Sequence, residues 1–152
     1  HKIHKNPLYR ALRCDKLTYA ILEETLRTYI TPISIHKDNL TIALFKRESS
    51  KLKKIAEKLL KHLSPSVNNK YAIEIRKTEV DAGSGSLPLE KISSIALVIK
   101  KGMKPSDLSQ KFRMASPAVI GYIHGNSFYI DLKAIPPYQE KFLLKVLQEV
   151  LI

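Results

Sequence analysis

The sequence predicts an α/β domain of the α+β type, a mostly antiparallel or mixed sheet covered by helices. Three observations carry that prediction. Residues 49–63 set Leu52, Ile55, Ala56, Leu59, Leu60 and Leu63 at the 3.6-residue period of an amphipathic helix. In YAIEIRK, Tyr71, Ile73 and Ile75 alternate with Ala72, Glu74 and Arg76, the period of a half-buried strand. Gly125-Asn126 then separates Ile123 from Phe128 so closely that two late strands must return antiparallel.

The elements read in order as follows. After the turn-prone pair Asn6-Pro7, a helix starts at Asp15, an N-cap residue, and runs through LTYAILEETLRTYI to Pro32. Its apolar positions, Leu17, Ala20 and Ile21 with Leu22, Leu26 and Tyr29 beside them, are broad enough to predict burial on much of its circumference, as at a domain or subunit boundary. Residues 33–45 hold two β-prone runs around Lys37-Asp38-Asn39, read as a turn or hairpin. The helix over 49–63 carries Lys51, Lys53, Lys54, Lys58 and Lys61 on its other faces and ends at Ser64-Pro65-Ser66. Four β-like segments follow, YAIEIRKTEV, SSIALVIK, AVIGYI and SFYIDL. Between the second and third, Pro105 suits a first helical position and Leu108 and Phe112 are four apart, so a short crossover helix fits. A last helix puts Phe142, Leu143, Val146, Leu147 and Val150 on one side.

Composition narrows the function classes. The 152 residues suffice for one ordinary domain. Hydrophobic residues are 44%, with no apolar run near the roughly 18 residues that cross a bilayer. Lys and Arg number 26 against 14 Asp and Glu, a net charge of +12, which favours polyanions, acidic surfaces or phosphorylated ligands as partners. One cysteine, Cys14, allows no internal disulfide, and the opening HKIHKNPLYR has no apolar signal region, so a cytoplasmic location is expected. A start within a basic, polar stretch, without an initiator Met, is expected of a piece of a longer protein.

Catalytic motifs are scarce. His1, His4, His36, His62 and His124 lack metal-ligand spacing, so no metal site is expected. The glycine-rich run from Asp81 to Ser86 lacks the Lys and Ser/Thr ending of a phosphate loop and reads as a turning connection. Cys14 adjoins Arg13, yet a small buried thiol is the expected role. In NPLYRALRCDK, Arg10 and Arg13 are three apart, a spacing that puts two forked cations on one side of a helical turn. They suit a tetrahedral oxyanion such as phosphate, or else pair with Asp15, Glu23 or acids elsewhere.

Three stretches resemble bacterial selenocysteine synthase, the L-seryl-tRNA(Sec) selenium transferase family: HKNPLYRALRCDKLTYAILEETLRTYI, AGSGSLPLEKISSIAL and SPAVIGYIHGNSFYIDLKAI. They occur in the family's order over nearly the whole chain. The departures are Ser84 within the glycine run and Lys133 where an Arg is common. The resemblance implies the carboxyl-terminal domain of a fold-type I pyridoxal-phosphate enzyme. Residues 1–31 would be the connecting segment and helix from the cofactor-binding domain, and 32–152 the small α/β domain.

The implied reaction converts seryl-tRNA(Sec) to selenocysteyl-tRNA(Sec) with selenophosphate as selenium donor, on pyridoxal phosphate. The implied partners are seryl-tRNA(Sec), selenophosphate and further copies of the parent, in dimers and larger rings, with no membrane. The family's cofactor lysine would lie upstream of His1, so these residues alone are expected to be inactive, without covalent cofactor and without an assigned catalytic residue. Arg10 and Arg13 match family arginines that engage the phosphate-like part of the donor, Asp15 and Lys16 are expected to cap and tune locally, and the lysines after Ser49 are candidates to face tRNA. Two alternatives stay open: a related pyridoxal-phosphate lyase or transferase that does not use tRNA, and a basic noncatalytic module that binds RNA or protein.

Overall fold

A computed structural model describes residues 2–30, 39–82 and 91–152. They fall into two units, His1–Ala43 and Leu44–Ile152. The boundary expected at 31/32, Pro32, the Lys37-Asp38 turn, His36 and the glycine run from Gly83 onward lie outside the described residues.

In the first unit, the Asn6 side chain accepts a hydrogen bond from the Leu8 amide at 2.9 Å and opens a 3-10 turn over Pro7–Leu12. Helix α1, Lys16–Ile30, follows. Its N-cap is Asp15 as predicted, Oδ1 accepting from the Thr18 amide at 2.7 Å. An i, i+4 pair between Arg27 and Glu23, 2.6 Å apart, adds support on its surface. The burial expected of α1 is burial at a domain or subunit boundary, and within the chain itself its apolar surface stands open. None of its residues is buried, and Leu17, Ile21, Leu22, Leu26 and Tyr29 all stand exposed.

The hairpin reading of 33–45 is corrected over its second half, where Leu40–Phe45 is helix α2. The Asn39 side chain accepts from the Ile42 amide at 3.1 Å, so a cap converts a β-prone run into a helical turn. Helix α3, Ser49–Lys61, buries Leu52, Ala56 and Leu59 as its period requires. Beyond it lies α4, Pro65–Tyr71, an element the sequence reading did not include and whose last residue, Tyr71, falls in the expected strand YAIEIRKTEV. Ser64 caps it, Pro65 takes its first turn, and Ala72 ends it in the left-handed region at φ 46°. Tyr71 is therefore the last helical residue and its carbonyl accepts from the Lys100 and Lys101 amides, both at 3.1 Å.

Among the described residues the strands form one antiparallel sheet in the order β1-β2-β4-β3: β1 Glu74–Asp81, β2 Lys91–Ile99, β3 Tyr122–His124 and β4 Ser127–Asp131. Helix α5, Pro105–Met114, is the predicted crossover, with Leu108 and Phe112 buried. Helix α6, Glu140–Leu151, closes the unit and buries Leu143, Val146, Leu147 and Leu151. The expected strand AVIGYI is mostly not strand. The Val119 amide donates to the Phe112 carbonyl at 2.8 Å, which ties that segment to α5 and leaves three residues for pairing. Gly125, at φ 57°, makes the predicted tight return that pairs His124 with Ser127.

Register sorts the two faces. Ile75 pairs with Leu97 and Leu97 with Ile130, and this row joins the helices in the main core, where the Phe112 and Phe128 rings stack at 5.3 Å. The opposite row, Arg76, Ala96 and Asp131, belongs to a polar face whose buried residues include Ala96, Val98 and Tyr129. The helices thus cover one face of the sheet.

Candidate functional site

Arg10 lies in the 3-10 turn Pro7–Leu12 and Arg13 stands at its end, the Arg13 amide donating to the Arg10 carbonyl at 3.2 Å. A 3-10 helix has about three residues per turn, so positions 10 and 13 stack over one another. Both residues are exposed. Among the described residues neither has an ion pair: Asp15 is engaged with the Thr18 amide, and Glu23 with Arg27. The Asp15 carboxyl is held below the ordinary value of 3.8, chiefly by the hydrogen bond from the Thr18 backbone. Two caps, Asn6 and Asp15, therefore bracket a short segment that presents two fixed cations. Chemically it can bind an oxyanion through charged, forked donors, but it cannot accept a proton.

Cys14, expected to be buried, is exposed between Arg13 and Asp15. Its neighbours on both sides are exposed, so there is no apolar layer for the thiol to enter. His62 bonds through Nδ1 to the Lys58 carbonyl at 2.7 Å, and His124 packs edge-on to Tyr129. Among the described residues no cluster of His, Cys, Asp or Glu could hold a metal ion. No helix among them is long and apolar enough to cross a membrane.

Sequence reasoning missed two polar constellations in the second unit. In the first, Lys133 is 4% exposed, and its ammonium donates to the Arg47 carbonyl at 2.6 Å and the Phe45 carbonyl at 3.4 Å. The Arg47 guanidinium donates in return to the carbonyls of Leu132, at 3.1 Å, and Ile135, and meets the Glu140 carboxylate at 2.8 Å. Burial, then the Arg47 charge, pushes the Lys133 ammonium below the ordinary lysine range, against an opposing pull from Asp131. In the second, Asp131 accepts from Thr78 at 2.7 Å, from Ser94 and from the Lys133 amide at 3.3 Å, while Arg76 donates to the Tyr129 hydroxyl at 2.6 Å. The only local sign of either was one charged residue inside an apolar run, such as Lys133 after Tyr129, Ile130 and Leu132. Its partners are some 86 residues away in sequence.

A groove of about 540 Å³ lies where Pro117, Ile120 and Ile135 face Tyr138 and Phe142. It is apolar and carries no convergent cations, so it does not duplicate the chemistry of Arg10 and Arg13.

The profile of the L-seryl-tRNA selenium transferase family matches residues 1–136. The chain belongs to that family. Its relatives include the L-seryl-tRNA(Sec) selenium transferase of Haemophilus influenzae strain PittEE, 35% identical over 150 residues, which is 97% of this chain and 32% of that protein. The enzyme of the same name from Shewanella oneidensis is 36% identical over 137 residues, 89% of this chain and 29% of that protein. That of Salmonella typhimurium is 30% identical over 138 residues, 88% and 30% respectively. The chain thus spans about a third of the length of these transferases. Membership accounts for Arg10, Arg13, Asp15 and the Lys133 region lying within one matched span.

Proposed function

We propose that this chain is the carboxyl-terminal part of an L-seryl-tRNA(Sec) selenium transferase, in which Arg10 and Arg13 clamp the phosphate group of selenophosphate. In this reading the whole enzyme replaces the seryl hydroxyl with selenium from that donor to make selenocysteyl-tRNA(Sec), in the cytoplasm and as a homo-oligomer. The observation that carries it is one 3-10 turn presenting two exposed arginines that no described carboxylate neutralises, in a chain of this family. Guanidinium keeps its proton at any useful pH, so the pair binds and orients an anion and leaves proton transfer to other groups.

Pyridoxal phosphate supplies the electron sink in such an enzyme. The described residues do not fit its covalent anchor. Lys133 is buried with a depressed pKa, as an imine-forming lysine would be, yet its ammonium is spent on two backbone carbonyls and has almost no exposure. No step through the cofactor is therefore assigned to this chain, and the 152 residues alone are expected to be inactive.

In the full-length enzyme, Arg10→Ala and Arg13→Ala should raise KM for selenophosphate by about tenfold or more each, the loss of one charge-assisted contact. Lys at either position should retain part of the affinity, because charge survives and the fork is lost. Binding of seryl-tRNA should change little. An unchanged KM for selenophosphate in the correctly assembled double Ala variant would reject the clamp.

A further inference from the structure

We propose that Lys133, Arg47 and Glu140 are positioning residues for the selenophosphate clamp: they fix the end of the connection that leads from the segment bearing Arg10 and Arg13 into Leu44–Ile152. This role rests on the clamp reading of those arginines. The connection ends in α2, Leu40–Phe45, a helix that runs across the division between His1–Ala43 and Leu44–Ile152. A helix leaves its last four carbonyls without intrahelical partners, and one as short as this has few internal bonds to hold it. No basic residue stands in its last turn to take those carbonyls.

The cap comes from across the fold. The Lys133 ammonium donates to the Phe45 carbonyl at 3.4 Å and the Arg47 carbonyl at 2.6 Å, 88 and 86 residues away. The Arg47 guanidinium donates in turn to the carbonyls of Leu132, at 3.1 Å, and Ile135, at the two ends of the 3-10 turn that carries Lys133. Glu140, in the first turn of α6, binds the same guanidinium at 2.8 Å. Directional bonds thus tie together the end of α2, the turn after β4 and the start of α6. They do so out of water, with the Arg47 side chain 13% exposed and Lys133 4%.

Stability alone does not account for so polar a joint. Taking two cations out of water is expensive, and apolar side chains of similar volume commonly hold a fold as well or better. An apolar plug, however, packs without a fixed direction, whereas a hydrogen bond weakens steeply once its angle is lost. The clasp therefore selects one direction for the end of α2. A clamp needs such control, because two guanidiniums must meet one tetrahedral anion together, and a small displacement set far from the chemistry is felt there. Lys133, Arg47 and Glu140 are spent on one another and on backbone carbonyls, so they act through Arg10 and Arg13 and touch no anion themselves.

The test takes two measurements on Lys133→Met, which keeps most of the volume and removes the donor. In the 152-residue chain, hydrogen exchange of the amides from Ile42 to Arg47 should quicken by about fivefold or more, with those of β2 and α5 unchanged. In the full-length enzyme, KM for selenophosphate should rise about fivefold, with kcat and the KM for seryl-tRNA held within about twofold. Lys133→Arg, which restores a cationic donor, should bring both measurements back to the parent values. Glu140→Leu, a change at the more exposed side of the clasp, should move both in the same direction by about threefold, and decides the matter if Lys133→Met does not fold. Faster exchange spread evenly over Leu44–Ile152 would make the clasp a stabiliser only and overturn the proposal. So would an unchanged selenophosphate KM in Lys133→Met where Arg10→Ala raises it. The double variant Arg10→Ala/Arg13→Ala separates the two readings: if it leaves that KM unchanged, the clamp itself fails and the positioning role falls with it, whatever the exchange shows.

Discussion

Lys133 and Arg47 hold each other's backbone: the Lys133 ammonium donates to the Arg47 carbonyl at 2.6 Å, and the Arg47 guanidinium donates to the carbonyls on either side of Lys133's own turn. Two cations can sit this close because each is solvated by carbonyl oxygens and Glu140 neutralises one of them. The arrangement pins the segment before α3 to the turn after β4.

Breaking that clasp should be costly. Lys133→Ala would orphan two carbonyls and leave a void, and is expected to destabilise the fold by about 2–4 kcal/mol in urea titrations, with Arg47→Ala similar. Lys133→Met, which keeps most of the volume, should cost less. Because the folded ammonium lies below the ordinary 10.5, native protein releases that proton before unfolded protein does. Stability of the parent relative to Lys133→Met should therefore rise as pH climbs from the folded value to 10.5. A difference that stays constant across that range would contradict the buried-ammonium account.

Asp15 gives the same sign in an acid window. Its folded pKa is depressed by the Thr18 amide, so the cap's contribution is complete above the unfolded value of 3.8 and disappears as pH falls through the folded one. Helical ellipticity at 222 nm should drop over that acid window in the parent chain. Asp15→Asn should remove this component of the titration while retaining a capping oxygen.

Two glycines of one hairpin should respond differently. A Cβ on Gly121 would meet the Tyr129 carbonyl and the Phe128 ring, whereas one on Gly125 meets nothing and is opposed only by φ 57°. Gly121→Ala is expected to destabilise by about 1–3 kcal/mol through overpacking. Gly125→Asn should cost well under that, since Asn tolerates the left-handed region. Thermal melts of the two variants would rank them.

Incubation with pyridoxal phosphate, then borohydride and intact-mass analysis, should yield no unique stoichiometric adduct. Lys133 has the depressed pKa for imine formation but no access. A single modified lysine mapped by peptide mass spectrometry would overturn the placement of the cofactor anchor outside these residues.

Much of the fold was legible locally. The stripe from Leu52 to Leu63, the Asp15 cap, Pro105 at a first helical turn and the Gly125-Asn126 return each depend on interactions within a few residues, and all appear as read. One hydrogen bond across three residues likewise makes the turn between Arg10 and Arg13. The strand readings of Leu40–Phe45, Tyr71 and residues 118–121 failed where a short-range bond outweighed β-propensity: the Asn39 cap, the Ser64 cap with a left-handed Ala72, and the Val119 amide on Phe112.

What the sequence determined by itself was the class of fold, the net charge and the period of each amphipathic element. Tertiary structure alone decided which charges are answered. Lys133 finds Arg47 across 86 residues, and Asp131 finds Thr78 across 53. The physical reason is range: a helix or turn is selected by neighbours along the chain, whereas the energy of a charge depends on every group that folding brings within a few ångströms of it, and on the water it removes.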